Sequence, residues 1–308
     1  VTPMGWFEEL RPSTTPSLAA LLLSASTCVA LIAVTLPMLR RRDIGRGVLP
    51  ARDARRPRRY LLGSAWQEAL RDDLPQLALW FGGTVLFIAV MGGLAQTVLD
   101  LARKNSAFGS VLGSSFALNG YAAAVFTLVE LVVSLLVVTL FMGARHEEST
   151  GRLELVGAQP WSRARWAMER ALLASGVAMA LALVAAVVLW SSVNVAGAPI
   201  SLGSLLQAAA NCIPLIVVTA GATLLVYGLA PRAVAALYAV VAVAFLWDAL
   251  GAALKLSGWV LDLSPFHSLA QVPAQDFEVI PAAVLLLLGV AGLAAGASAF
   301  RHRDLVMG

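Results

Sequence analysis

Glu130 and Asp248 each interrupt a run of Ala, Leu, Val and Phe that is otherwise free of charge. In hydrocarbon an ionised carboxylate costs roughly 2.5 to 3.5 kcal/mol on insertion scales, so each must face protein or a water-filled cavity, or keep its proton. Two kinds of chemistry suit such acids. One is a polar lining for a passing solute, or a site that takes up a proton. The other is hydrogen bonding between helices, with Asn211, Gln207 or Ser134 as partners. The remaining reactive side chains form no catalytic set. His146, His267 and His302 fall in three separate segments without H-E-x-x-H spacing, and Cys28 and Cys212 both lie in apolar runs, where they behave as small buried residues. A G-x-S-x-G elbow is absent, and so is G-x-x-x-x-G-K-[ST], because the two lysines, Lys104 and Lys255, follow Arg103 and Leu254. The sequence therefore predicts a protein that is not an enzyme and holds no cofactor or metal of its own. Any ATP hydrolysis must come from another chain, which would bind the ATP and Mg.

A second set of residues is charged and compact. Between Ala144 and Trp166, Glu147 and Glu148 suit the positive end of a helix, Leu153, Leu155 and Val156 make an apolar ridge, and Gly157 stops the turn. Ser162 then caps a following helix. This spacing predicts a short helix over 147–157, a handle for a partner protein. A solvated loop is the alternative.

The elements that carry these residues are apolar stretches of about 20 residues, the length a helix needs to cross about 30 Å of hydrocarbon. Seven are present: Ser17 to Leu39, Leu74 to Gln96, Tyr121 to Gly143, Ala171 to Trp190, Gln207 to Leu229, Ala233 to Leu254 and Ile280 to Phe300. Threaded alternately, they leave 18 of the 22 basic residues on one side, with Arg11, Arg103, Lys104 and Lys255 on the other. The positive-inside rule then places the N-terminus outside and the C-terminus inside. The expected fold is all-α, a polytopic membrane protein of about seven transmembrane helices. Composition agrees: 59% of residues are hydrophobic and 13% charged, with mean hydropathy +0.81 and pI about 9.5. That basicity belongs to a surface against anionic headgroups, so the bilayer rather than nucleic acid is the expected partner.

Three regions follow. Residues 1–39 hold an outer segment and the first span, which Glu8 and Glu9 precede and Arg40, Arg41 and Arg42 follow, a stop-transfer flank and not a cleaved signal. Residues 40–73 hold a basic linker and an interfacial helix with Leu62, Ala65, Trp66, Ala69 and Leu70 on one face, ending where Pro75 opens the second span. Residues 74–308 hold six spans, including an apolar outer loop, 255–279, that either dips back into the bilayer or caps the bundle. The small-residue patterns at Gly289, Gly292 and Gly296, and at Gly221 and Gly228, read as packing devices.

The run Glu147-Glu148-x-x-Gly151-Arg152-Leu153-Glu154, followed by Pro160-x-Ser162-Arg163, resembles the cytoplasmic signature of ABC type-2 exporter permeases. Leu263-Ser264-Pro265-Phe266-His267 and the tail Arg301-His302-Arg303-Asp304-Leu305 are similar to the C-terminal part of the double-length polyketide antibiotic exporter permeases of actinobacteria. The resemblance implies one helix followed by a six-helix permease unit in a prokaryotic plasma membrane. Glu147, Glu148, Gly151, Arg152, Leu153 and Glu154 would then be the coupling helix seated in an ATPase subunit, with Pro160, Ser162 and Arg163 the turn behind it. Independently of the resemblance, the polarity of Glu130, Asp248 and Asn211 within apolar spans makes them the residues expected to line a substrate pathway. The resemblance further implies ABC nucleotide-binding subunits as partners. A second permease chain or half would carry the missing five helices, since the double-length type has about twelve spans and this sequence corresponds to the later seven. Both a split subunit and a truncated chain fit that expectation. The expected function is export of a hydrophobic or amphipathic substrate. Proton-coupled secondary transport through Glu130 or Asp248 is the alternative.

Overall fold

The computed structural model describes residues 65–104, 114–149, 163–251 and 257–303, together with Ser26. The chain divides into two units, Val1–Tyr60 and Leu61–Gly308, and apart from Ser26 the described residues belong to the second. Apart from Ser26, the expected first span and the basic linker lie outside them.

Among its described residues the second unit has seven helices: α1 (Ala65–Lys104), α2 (Ser114–Ser149), α3 (Arg163–Val195), α4 (Leu202–Leu229), α5 (Ala236–Gly251), the single-turn α6 (Gly258–Leu261) and α7 (Val279–His302). A 3-10 turn, Pro231–Ala233, links α4 to α5. Apolar sequence of this length folds as helix in lipid because every backbone N–H and C=O must then be satisfied within its own segment. Among the described residues, α1, α2, α3, α4 and α7 are long and apolar enough to cross a membrane, and α5 is a shorter apolar helix. The protein is a polytopic helical membrane protein, as its composition predicts.

The interfacial helix expected before Pro75 is the opening of α1. The helix runs unbroken through Pro75 for 40 residues, about 60 Å at 1.5 Å per residue and so about twice the hydrocarbon thickness. Arg170 of α3 comes within 3.8 Å of Asp73, which ties the polar opening of α1 to the bundle on the near side of the proline.

α4 is the centre of the bundle. It packs against α7, α3 and α2, while α1 lies on α3 and α2, and α5 leans on α2. Ser201 caps α4, its hydroxyl accepting from the Ser204 N–H at 3.4 Å. The α4–α7 contact is made by glycines: a Cβ on Gly289 would stand 2.6 Å from the carbonyl carbon of Val217, and one on Gly296 2.6 Å from that of Leu224. Backbone therefore meets backbone there, the arrangement that small residues allow where lipid supplies no hydrophobic drive to association.

The described part of the segment between α5 and α7 folds inward. Phe266, Leu269, Ala270 and Val272 are buried, and Phe266 and Leu269 share a cluster with Val138 of α2, Leu215 of α4 and Val241 of α5. Leu215 stands near the middle of α4, so the loop descends into the bundle rather than lying across its rim. Ser264 secures it by donating to the Ala244 carbonyl at 2.9 Å, and Phe266 meets Phe245 edge to face at 5.7 Å.

Candidate functional site

Glu130 and Asp248, 118 positions apart, line one narrow cleft together with Phe126, Leu269, Ala270 and Gln271. Glu130 lies near the middle of the apolar run Leu118–Arg145 of α2 and is 6% exposed. Asn211 of α4, 2% exposed, donates its Nδ2 to the Ala270 carbonyl at 2.9 Å, and its amide also interacts with the Glu130 carboxyl. The Asn211 Oδ1 is buried without a hydrogen-bond partner. The three residues expected in the pathway are thus brought together. Of the other expected partners, Ser134 bonds the backbone carbonyl of Glu130 at 2.8 Å and not its carboxyl, and Gln207 is exposed.

Sequence reasoning missed the group that holds Asp248. His267, from the inward loop, places Nδ1 2.9 Å from Asp248 Oδ1. The two are 19 residues apart, and no periodicity links them. His267 meets Asp248 only because the loop turns inward.

Next to the acidic cleft is an apolar groove of about 510 Å³, between α4, α5 and the segment Leu263–Phe266. Val218, Leu237, Val240, Ala244 and Trp247 line it. Phe266 lines both spaces.

At the arginine-rich end, Glu147 and Glu148 do not open a separate helix: they belong to α2, which runs to Ser149. Glu148 turns inward. Its Oε2 accepts from the Tyr227 hydroxyl at 2.7 Å, and its Oε1 pairs with Arg303 Nη2. Burial of this carboxylate is satisfied by a guanidinium and a phenol, which is why the side chain leaves the surface where the sequence reading set it. Arg303 also donates Nη1 to the Tyr227 carbonyl at 2.7 Å and lies over the rings of Tyr227 and Phe300, 5.3 and 5.1 Å from their centroids. Phe300 stacks between Tyr227 and Trp166, with centroids 5.3 and 5.5 Å away. Arg163, the first residue of α3, donates Nη1 to the Arg303 carbonyl at 3.2 Å. Gly151, Arg152, Leu153, Glu154, Pro160 and Ser162 lie outside the described residues, as does the Glu147 side chain.

Residues 62–301 match the family described as multidrug efflux system permease Rv1217c, C-terminal domain. The chain is also similar to the multidrug efflux system permease protein Rv1217c of Mycobacterium tuberculosis (strain ATCC 25618 / H37Rv), 29% identical over 315 aligned residues that cover 98% of this chain and 56% of the relative. It spans about half the length of that curated relative. Both findings agree with the exporter-permease resemblance carried by the charged signature and the tail. A helical membrane bundle that matches this family over residues 62–301 belongs to it: the chain is a member of the family of the multidrug efflux system permease Rv1217c, C-terminal domain.

Proposed function

We propose that this chain is the membrane-spanning permease subunit of an ATP-driven exporter in a prokaryotic plasma membrane, moving a hydrophobic or amphipathic substrate, such as a polyketide antibiotic or another drug, out of the cell. The observation that carries the substrate class is the pairing, at Phe266, of a large apolar groove with a cleft that holds two carboxylates. A molecule with an apolar body and a polar or cationic end matches that pairing. In this reading the arginine-rich end faces the cytoplasm, where the connection from Glu147 to Arg163 meets an ATPase subunit that binds ATP and Mg. A second permease chain or half completes the pathway. Family membership and the multidrug-efflux name of the relative support the transport class.

The test is co-purification followed by transport. The tagged chain, expressed in its native host, should bring down a P-loop ATPase in fixed ratio, and proteoliposomes of the complex should move the dye Hoechst 33342 only with ATP. Arg152→Glu together with Glu154→Arg, which leave the buried Glu148 contact alone, should abolish dye-stimulated ATPase activity while the chain stays inserted. Transport that persists without ATP and collapses with a protonophore would instead establish proton coupling through Glu130 or Asp248. The burial of Glu130 next to a second acid favours that reading over any other competitor.

A further inference from the structure

We infer that Arg303 is the positioning residue of the charged connection between α2 and α3, fastening both of its ends to the α4–α7 pair. The inference rests on the coupling role proposed above for that connection, and it identifies the part of the bundle that follows the connection when it moves. Glu148 stands at the end of α2 and Arg163 at the start of α3, so the two flank the connection. Both bind Arg303, one through its guanidinium and the other through its carbonyl, across sequence separations of 155 and 140 residues. Arg303 is in turn held to α4 by the 2.7 Å bond to the Tyr227 carbonyl and by its seat over the Tyr227 ring.

The chemistry selects arginine. A planar guanidinium can reach the Glu148 carboxylate, the Tyr227 carbonyl and two aromatic faces at once, whereas an ammonium supplies a point charge without the fork. The pair is also poorly solvated, with side chains 12% and 8% exposed for Arg303 and Glu148. Removing one partner therefore leaves an uncompensated charge instead of a solvated one. Beyond Arg303, the glycine contacts between Gly221 and Gly292, and between Gly296 and Leu224, lock α4 to α7 backbone against backbone. A displacement of the connection is thus passed to α4 and α7 as one body. α4 carries Asn211, which holds Ala270 at the edge of the acidic cleft. The handle and the cleft are joined by a rigid pair of helices, with Arg303 at the junction.

The experiment reads the position of the connection directly. The full chain, in a background with Cys28 and Cys212 replaced by Ala, is reconstituted in lipid nanodiscs with a nitroxide on Gln159→Cys in the connection. A second sample carries it on Val195→Cys at the far end of α3. Arg303→Ala should raise the ratio of mobile to immobile label at 159 by on the order of tenfold, the population change that follows loss of hydrogen bonds to a charged group. The spectrum at 195 should stay as it was. Arg303→Lys, which keeps the charge and the stem, should give an intermediate increase, and it carries the test if Arg303→Ala does not insert. An unchanged spectrum at 159 in an inserted variant, or equal loosening at 195, overturns the inference. The spectra need no ATPase. Absence of a co-purifying ATPase from the wild-type chain would therefore defeat the proposed function and leave the fastening by Arg303 standing.

Discussion

Gly289→Ala is the sharpest perturbation of this bundle, because it adds one methyl group at a place with no room for one. The new Cβ would stand 2.6 Å from the Val217 carbonyl carbon and 2.7 Å from its oxygen and from the Val218 nitrogen. All three are backbone atoms, so no rotamer can give way. Reaching ordinary contact at 3.4 Å requires α7 to move away from α4 by about 0.8 Å at that level. The same shift lengthens the neighbouring approaches at Gly221 and Gly292, which share the seam. Overpacking of this kind costs roughly 1 to 3 kcal/mol. Against it stands the helix-propensity gain of alanine over glycine, about 1 kcal/mol or less. Gly176 in α3 supplies the comparison, since a Cβ there meets nothing within 4 Å. Reversible unfolding of the purified chain in mixed micelles, with increasing SDS, should show Gly289→Ala destabilised by about 1 to 2 kcal/mol and Gly176→Ala neutral or slightly stabilised. Equal stabilities for the two variants would refute the claim that α4 and α7 are in backbone contact.

Tyr227→Phe keeps the stack with Phe300 but removes the donor to Glu148, so it should cost about 1 to 3 kcal/mol in the same unfolding assay. A loss equal to that of an exposed surface substitution would count against a buried Glu148. Asn211→Leu removes the side-chain donor to the Ala270 carbonyl and leaves it only the Val272 N–H, so amide hydrogen exchange over residues 268–272 should quicken while exchange across α3 is unchanged. Uniform protection in both proteins would show that the inward loop is held by other contacts. For the orientation, a membrane-impermeant maleimide applied to intact cells should label Val195→Cys and spare Gln159→Cys; the reverse pattern would invert the topology.

Helix positions were readable because hydrocarbon leaves a single option for an apolar run of about 20 residues. The runs that became α1 to α5 and α7 were visible as such, although their boundaries shifted where polar turns extended them. Pro75 misled: it looked like a helix start, yet in α1 the turns on both sides carry the helix through it. Glu130, Asp248 and Asn211 announced themselves by polarity in apolar surroundings, and burial then gathered them. Glu148 did not behave as a surface acid because its partners, Tyr227 and Arg303, lie 79 and 155 residues away. Pairing at such range leaves no local pattern. His267 was hidden for a similar reason, since its role depends on a loop that enters the protein, and an apolar loop with prolines reads equally well as a cap.

For the proposed lipophilic substrate, the glycine seam closes one side of the bundle to entry. Where two main chains touch, there is no fissure for an acyl tail, and none for a drug dissolved among the tails, so the α4–α7 flank acts as a sealed wall. Beside the seam, with Val218 in both, the side chains of α4 leave the groove toward α5. Under the proposed function, a lipophilic passenger dissolved in the leaflet meets the groove toward α5, with Phe266 in its lining, rather than the seam.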